Sequence, residues 1–351
     1  MNFNMHNRLN IDIYQYLSNE ELTQVQIGIA AVPPYKGIGG CRIMNYITEE
    51  SAEQDLISLV ASMQNKSCFH QLNLAGAKCI ANINSISIKN RKSFFYELGK
   101  KIEFLGGKYI VAMDSGTGQE DMNCIKKFTN HVTNHDEVGG SPSVYTAEGV
   151  FSSIRELSAK ILKKLPEDTQ VSIQGIGNVG IELLKKLIDN NYKVVVTDSN
   201  QNLLRNLHNI YPNVKIVEPD SIYSIECDIF SPCALGGVIN KETVKMLRCK
   251  IICGAANSQL SSIAVASELK NRNIIFIPDE LVNAGGLLYC SYQYFKDKEM
   301  YNKISNISKM VSSFAEYCVL KNVLFNDAVQ EIYNFPYYNR YNSVIANSIK
   351  I

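Results

Sequence analysis

This chain of 351 residues is marked first by what it lacks. No apolar run approaches the roughly 20 residues that cross a bilayer. The N-terminal stretch MNFNMHNRLNIDIYQYL has no uninterrupted apolar core of signal-peptide type. The expectation is therefore a cytoplasmic protein with no membrane partner. Lys and Arg number 35 against 34 Asp and Glu, for a net charge of +1, and no basic block stands out. That leaves no electrostatic footprint for nucleic acid. There is no C-x-x-C pair and no Cys/His cluster at zinc spacing. His131 and His135, four apart, read as solvated or structural side chains, so no metal is assigned. The ten cysteines are scattered, several of them inside apolar runs (Cys41, Cys79, Cys253, Cys290, Cys318). Without a secretory signal they are expected to be reduced and mostly buried. No internal repeat and no low-complexity segment appears.

What is present is a chain long enough for two domains and 46% hydrophobic, enough to build sizeable cores. The stretch VSIQGIGNVGIELLKKLIDNNYKVVVTD, residues 171–198, organises the second half. A short β-type run precedes Gly175, Gly177 and Gly180, a G-x-G-x-x-G. A helical pattern through Val179, Leu183, Leu184 and Leu187 follows, then a second apolar run ending at Asp198. Three glycines at that spacing mean little alone. Strand, helix, second strand and an acid about twenty residues on are the full dinucleotide-binding context. The first glycine permits the turn, the second lets a pyrophosphate approach the backbone, and the third lets helix and strand pack closely. The phosphates are expected on the positive end of the helix, with Asn178 and Val179 in the same cradle. Asp198 is placed to accept from a ribose diol, which favours NAD over NADP.

Around that centre, residues 21–33 read as a strand, 35–40 (YKGIGG) as a turn and 41–46 as a strand. Thr48 caps a helix with Ala52, Leu56, Ile57, Val60 and Met63 on one face. Residues 70–84 read as strand, small-residue bend, strand. Residues 92–105 form a helix stopped by Gly106 and Gly107, and a strand from Tyr109 ends at Asp114. The polar stretch 131–145 reads as a hinge, followed by a helix over about 146–164. After Asp198, helices and apolar runs alternate to about residue 277, the mark of a parallel sheet with crossover helices. A long helical region covers about 286–322, and the tail reads as helical, then irregular.

The chain resembles the Glu/Leu/Phe/Val amino-acid dehydrogenase family, in its leucine/phenylalanine/valine branch. The resemblance rests on ordered blocks: GIGGCR (37–42), SMQNKS (62–67), LNLAGAK (72–78), AMDSGTGQEDM (112–122), SPSVYTAEGV (141–150), QGIGNVG (174–180), VTD (196–198), CDIFSPCALGG (227–237), GAANSQL (254–260) and PDELVNAGG (278–286). It implies an α/β protein of two domains with a cleft between them. The first, 1–138, is a substrate-binding, catalytic and oligomerisation domain joined by a returning segment, about 325–351. The second, 139–324, is a Rossmann-type parallel sheet that binds NAD. It also implies a homo-oligomer, and interconversion of an L-amino acid with its 2-oxo acid and ammonia.

By the same resemblance, Lys66 pairs the substrate carboxylate, Lys78 polarises the attacking water or the carbonyl, and Asp114 shuttles protons at the amino nitrogen. Thr146 stands near the nicotinamide amide, Ala234 and Leu235 line its ring, Asn257 touches the nicotinamide ribose or the substrate, and Asn283 closes the site. Where glutamate dehydrogenases hold a side-chain carboxylate with a lysine, this chain has Ile38. The other side-chain positions would be Gly39, Ala112, Leu287 and Cys290, all apolar or small. A charged substrate side chain would be left unpaired among them, so an apolar amino acid, branched-chain or aromatic, is expected. The alternatives are a specialised member acting on tryptophan or phenylalanine and a non-catalytic, NAD-binding regulatory descendant. The chain departs from the family pattern at Ala75, where a methyl replaces a glycine and is expected to crowd the substrate's carboxylate and forbid positive φ. It departs also at Met113 and Ser115, on either side of Asp114.

Overall fold

The structure is a computed structural model that describes residues 9–19, 23–83, 88–133, 141–334 and 344–350. The chain divides into two compact units. One comprises Met1–Gly140, Cys290–Asp297 and Phe335–Ile351; the other comprises Ser141–Tyr289 and Lys298–Asn334.

The first unit is built on a six-stranded mixed sheet. Its strands are β1 (Leu9–Leu17), β2 (Gln24–Ala30), β3 (Gly37–Met44), β4 (Ala75–Asn82), β5 (Tyr109–Met113) and β12 (Val344–Lys350), in the order β12-β1-β2-β4-β3-β5. β12 lies parallel to β1, β2 runs antiparallel to both neighbours, and β4, β3 and β5 are parallel to one another. The apolar alternation of β1 buries Leu9, Ile11 and Ile13, the period expected of a strand with one packed face. Helix α1 (Glu49–Phe69) begins in a capping box: Thr48 Oγ1 accepts from the Ser51 N–H while the Ser51 side chain takes the Thr48 N–H. It buries Ala52, Leu56 and Val60 in the core. Helix α2 (Ile88–Phe104) adds Phe94, Leu98 and Ile102 and stops at Gly106 and Gly107, both at positive φ. Helix α3 (Gln119–Lys126) follows the turn after Asp114.

Helix α4 (Pro142–Leu157) opens the second unit, capped by Ser141 with Pro at its first position. It widens into a π turn, Ser158–Leu162, that ends at Lys163 in the left-handed region. The sheet then forms from β6 (Gln170–Gln174), β7 (Lys193–Thr197), β8 (Lys215–Ile216), β9 (Ile229–Pro232), β10 (Ile251–Ile252) and β11 (Ile275–Phe276), all parallel, in the order β11-β10-β9-β6-β7-β8. Renumbered from β6, that is the 3-2-1-4-5-6 order of the doubly wound dinucleotide fold. Helix α5 (Asn178–Asp189) crosses from β6 to β7 and buries Leu183, Leu184 and Leu187 completely, about 1.5–3 kcal/mol each. Helices α6 (Gln201–Ile210), α7 (Thr243–Met246) and α8 (Ala264–Asn271) make further connections, and α9 (Asp279–Val282), α10 (Gly285–Phe295), α11 (Lys298–Lys321) and α12 (Phe325–Tyr333) follow the last strand. No helix among the described residues is long and apolar enough to cross a membrane.

Several local expectations are corrected. GIGG is not a turn but the first half of β3, and AGA is not a bend but the start of β4. Both runs are small because other backbone packs directly on them. The helical region 286–322 is two helices, broken where Lys296 takes φ 57°. The strand β1 and its pairing with β12 were not foreseen. The segment from residue 325 also divides: α12 groups with the second unit, where Phe325 packs its ring on Phe276 at 4.8 Å. Of the expected hinge, residues 134–140 lie outside the described residues.

Candidate active site

In the first unit, Lys78 and Asp114 form an ion pair. Lys78 Nζ meets Asp114 Oδ2 at 2.8 Å, and the lysine is almost wholly buried. Lys78 stands on β4 and Asp114 immediately follows β5, with β3 between those strands. Gly40 in β3 packs directly against the carboxylate's residue: a Cβ there would lie 2.6 Å from the Asp114 Cβ and 2.9 Å from the Met113 carbonyl. Asp114 is also tied to the sheet by its turn. Thr117 Oγ1 accepts from the Asp114 N–H at 2.9 Å and bonds the Cys41 carbonyl at 2.8 Å.

Two further cationic and anionic side chains, absent from the sequence assignments, complete the cluster. Arg42 Nε donates to Asp114 Oδ2 at 3.0 Å, and Arg42 Nη1 donates to Asp55 Oδ2 at 3.1 Å. Burial pushes the Asp114 carboxyl up, but the charges of Lys78 and Arg42, with hydrogen bonds from Lys78 and the Ser115 N–H, outweigh it. They hold the group well below the usual carboxylate range. The resting site thus contains an ionised carboxylate gripped by two cations. The signal for Arg42 was in plain view, an arginine inside the otherwise uncharged strand GIGGCRIM.

Lys66 is buried in the last turns of α1, among the buried polar residues Ser62, Gln64, Asn65 and Ser67. The helix backbone lies directly on β4 at Gly76, where a Cβ would fall 2.3 Å from the Gln64 nitrogen. Gln64 Oε1 accepts from the Gly76 N–H at 2.8 Å. Each lysine therefore lies two residues beyond this one helix–strand contact. Ala75 is fully buried in extended β4, so the expected conflict with positive φ does not arise: the family's small residues serve close packing here.

The expected side-chain pocket positions fall on neighbouring strands. Ile38, Gly39 and Ala112 are buried on β3 and β5. A Cβ on Gly39 would overlap the Ala77 carbonyl, which itself accepts no intrusion at 1.7 Å. The Gly39 carbonyl takes the Tyr109 hydroxyl at 2.9 Å. Cys290, in the part of α10 that groups with this unit, is buried; that burial pushes its thiol up to about 12, partly offset by a hydrogen bond with Thr133. Leu287, one turn earlier on α10, is buried in the second unit.

In the second unit the glycine turn, Asp198, and Ala234 with Leu235 follow the carboxyl ends of β6, β7 and β9, whereas Asn257 follows β10, Thr146 lies on α4 and Asn283 ends α9. Here β6 and β9 are neighbours while their chain continuations run to opposite sides, the crevice where doubly wound sheets bind ligands. Gly175 takes φ +97°, and a Cβ on it would sit 2.7 Å from the Cβ of Ala234. Gly180 passes so close that a Cβ would lie 2.0 Å from the Gly175 carbonyl. Gly177, the N-cap of α5, faces open space and has no side-chain cap bond. Asn178 and Val179 form the first helical turn behind it, leaving helix N–H groups for an anion. Asp198 Oδ2 accepts from the Ile176 N–H at 2.7 Å and Oδ1 from the Asn200 N–H at 2.8 Å, so this carboxylate first holds the glycine turn itself. Asn283 Nδ2 donates to Asn257 Oδ1 and to the Ala255 carbonyl, both at 3.0 Å, while Asn283 Oδ1 is buried without a hydrogen-bond partner. Thr146 Oγ1 accepts from the Gly286 N–H at 3.1 Å and donates to the Pro142 carbonyl. Leu235 is 74% exposed. The open space at Gly177 and the orphaned Asn283 oxygen both fit a bound dinucleotide.

The family description Glutamate/Leucine/Phenylalanine/Valine dehydrogenase matches residues 139–319. Over 256 residues, 72% of this chain and 69% of the other protein, the chain is 38% identical to the leucine dehydrogenase of Thermoactinomyces intermedius. The chain belongs to the Glu/Leu/Phe/Val dehydrogenase family. Within that family it is also 30% identical to the L-tryptophan dehydrogenase of Nostoc punctiforme over 299 residues, 84% of each chain. The crystal structure of L-tryptophan dehydrogenase from Nostoc punctiforme matches with a TM-score of 0.72 at 27% identity, covering 93% of this chain and 96% of that one.

Proposed function

We propose that this member of the family catalyses the reversible, NAD-linked oxidative deamination of an apolar L-amino acid to its 2-oxo acid and ammonia. The observation that carries this reading is the ion pair at 2.8 Å between buried Lys78 and part-buried Asp114. Retention of that pair, with Lys66 buried nearby in sequence on α1, speaks against a non-catalytic descendant. A nicotinamide cofactor supplies the hydride acceptor, or donor in reverse. It would be held by Gly175, Gly177, Asn178, Val179 and Gly180 at its phosphates, by Asp198 at its adenosine ribose, and by Thr146, Ala234, Leu235, Asn257 and Asn283 around its ring.

The protein's own residues do the rest. Lys66 pairs the substrate carboxylate and fixes the α-carbon. Lys78 lends its charge to the imine carbon's water and then to the carbonyl oxygen. Asp114, kept ionised at rest, takes a proton from the amino group or water once Lys78 shifts toward the substrate. The burial of Lys78 and the partial burial of Asp114 strengthen each of these charge interactions.

Ile38, Gly39, Ala112, Leu287 and Cys290 offer no charge to a substrate side chain, so a branched-chain or aromatic substrate suits them. The match to L-tryptophan dehydrogenase along nearly the whole chain makes an aromatic substrate the second reading. The protein would work as a cytoplasmic homo-oligomer, a state that light scattering of the purified protein measures. The reading is tested by supplying apolar 2-oxo acids with ammonia and NADH and following NADH consumption. Loss of absorbance with 4-methyl-2-oxopentanoate or phenylpyruvate, and none with 2-oxoglutarate, is the expected result. Preference for 2-oxoglutarate would overturn the substrate assignment.

A further inference from the structure

Arg42 bridges two carboxylates on different elements. Its Nε is on Asp114 Oδ2 at 3.0 Å and its Nη1 on Asp55 Oδ2 at 3.1 Å, with the side chain 15% exposed. The Tyr46 hydroxyl donates to the same Asp55 oxygen at 2.5 Å. Asp55 belongs to α1, Arg42 to β3 and Tyr46 to the segment just past β3, so the network spans helix, strand and loop. Lys78 and Arg42 both grip Oδ2 of Asp114, yet they are built differently. Lysine is a point charge on a flexible stem, able to turn toward a new partner. Arginine is a planar fork, and this one cannot swing without also giving up Asp55.

We propose that Arg42 is a positioning residue, locked by Asp55 and Tyr46, that keeps the Asp114 carboxylate in place while Lys78 turns to the substrate. The proposal rests on the dehydrogenase reading above. During turnover Lys78 has to serve the reacting carbon, and an Asp114 held by Lys78 alone would follow it or rotate. With Oδ2 pinned by Arg42, the remaining lone pairs of the carboxylate stay available for the reacting proton. Arginine rather than lysine is required, because one planar group must reach both carboxylates at once. A site residue is only as well placed as the shell that fixes it, and small displacements cost rate rather than affinity.

The experiment compares wild type, Arg42→Ala, Arg42→Lys and Asp55→Asn in oxidative deamination with NAD. The amino acid is varied, and each protein is assayed with and without added guanidinium chloride. Arg42→Ala is expected to lose kcat by about 100-fold with little change in KM, and guanidinium is expected to restore part of that kcat. Arg42→Lys keeps the charge but not the fork and stays impaired. Asp55→Asn, which keeps the whole of Arg42 but frees one end of it, also loses kcat and is not rescued by guanidinium. A near-wild-type kcat in Arg42→Ala, or a loss confined to KM, overturns the proposal. So does guanidinium that restores nothing. If Arg42→Ala does not fold, Asp55→Asn decides: normal kcat overturns the proposal, and reduced kcat at unchanged KM supports it. Wild type inactive on every amino acid would instead remove the dehydrogenase reading, and this proposal with it.

Discussion

Lys78 Nζ reaches Asp114 Oδ2 at 2.8 Å although the two residues stand on strands with β3 between them. On that middle strand Gly40 lies against Asp114, so close that a Cβ there would fall 2.6 Å from the Asp114 Cβ. Glycine at residue 40 is thus part of the site, although it carries no chemistry of its own.

Gly40→Ala tests this. The new methyl group would meet the Asp114 Cβ at 2.6 Å and the Met113 carbonyl at 2.9 Å. One of them must move. Overpacking of this kind costs about 1–3 kcal/mol, and the displaced carboxylate no longer meets Lys78. The expected outcome is a lower Tm and a loss of kcat far larger than the stability loss explains. Full activity in a folded variant would show that the pair is not needed in this geometry.

Asp114 also links stability to pH. Its carboxyl is held low by Lys78 and Arg42 against the effect of burial. A depressed carboxylate contributes its stabilisation fully above the ordinary Asp range, about pH 4, and loses it as pH falls through the folded value. Asp114→Asn leaves two cations without their shared partner, at a cost of about 3 kcal/mol near neutral pH. Urea unfolding of both proteins should show that difference steady above about pH 5 and shrinking toward acid. A difference that widens on acidification contradicts the assignment of charge.

The two candidates that the structure pairs, Lys78 and Asp114, stood out in the sequence by the company they keep. A lysine beside Cys79, Ile80 and Ala81 on a buried strand and an aspartate at a strand end stand out against apolar surroundings. The alternation after Asp198 likewise announced the parallel sheet. Other features were hidden for physical reasons. GIGG and AGA look like turns because glycine serves turns, and nothing local tells that role apart from letting a helix or a neighbouring strand approach. The β1–β12 pairing joins residues 9–15 to 344–350, and no pattern within either segment names its partner. Asp55 reads as an ordinary helix-surface acid until Arg42 is seen to meet it.

The glycine turn allows binding and folding roles to be separated. Gly177→Ala places a methyl in open space, so Tm should hardly move while NADH affinity falls about tenfold, about 1.4 kcal/mol. Gly180→Ala puts a Cβ 2.0 Å from the Gly175 carbonyl and should fail to fold normally. Calorimetry and NADH titration read both. Unchanged NADH affinity in Gly177→Ala would mean that the phosphates lie elsewhere.

Asp198 holds the glycine turn, and its proposed second task is to meet the cofactor's ribose. Its oxygens already accept from Ile176 and Asn200, and a carboxylate has lone pairs left for a ribose diol. Asp198→Ala should therefore lower Tm and also erode the preference for NAD over NADP. A variant that loses stability yet keeps full NAD preference would confine Asp198 to the turn.

The central claim is that this protein oxidises apolar L-amino acids by way of Lys78. Its most direct test mixes purified wild type or Lys78→Ala with NAD at alkaline pH. Leucine, valine, isoleucine, methionine, phenylalanine, tryptophan and glutamate are offered in turn, and NADH absorbance is followed. The account predicts NADH formation by wild type with at least one apolar amino acid and not with glutamate. It predicts no turnover by Lys78→Ala, although that variant still binds NADH. No NADH from wild type with any apolar amino acid, or undiminished turnover in Lys78→Ala, would contradict it.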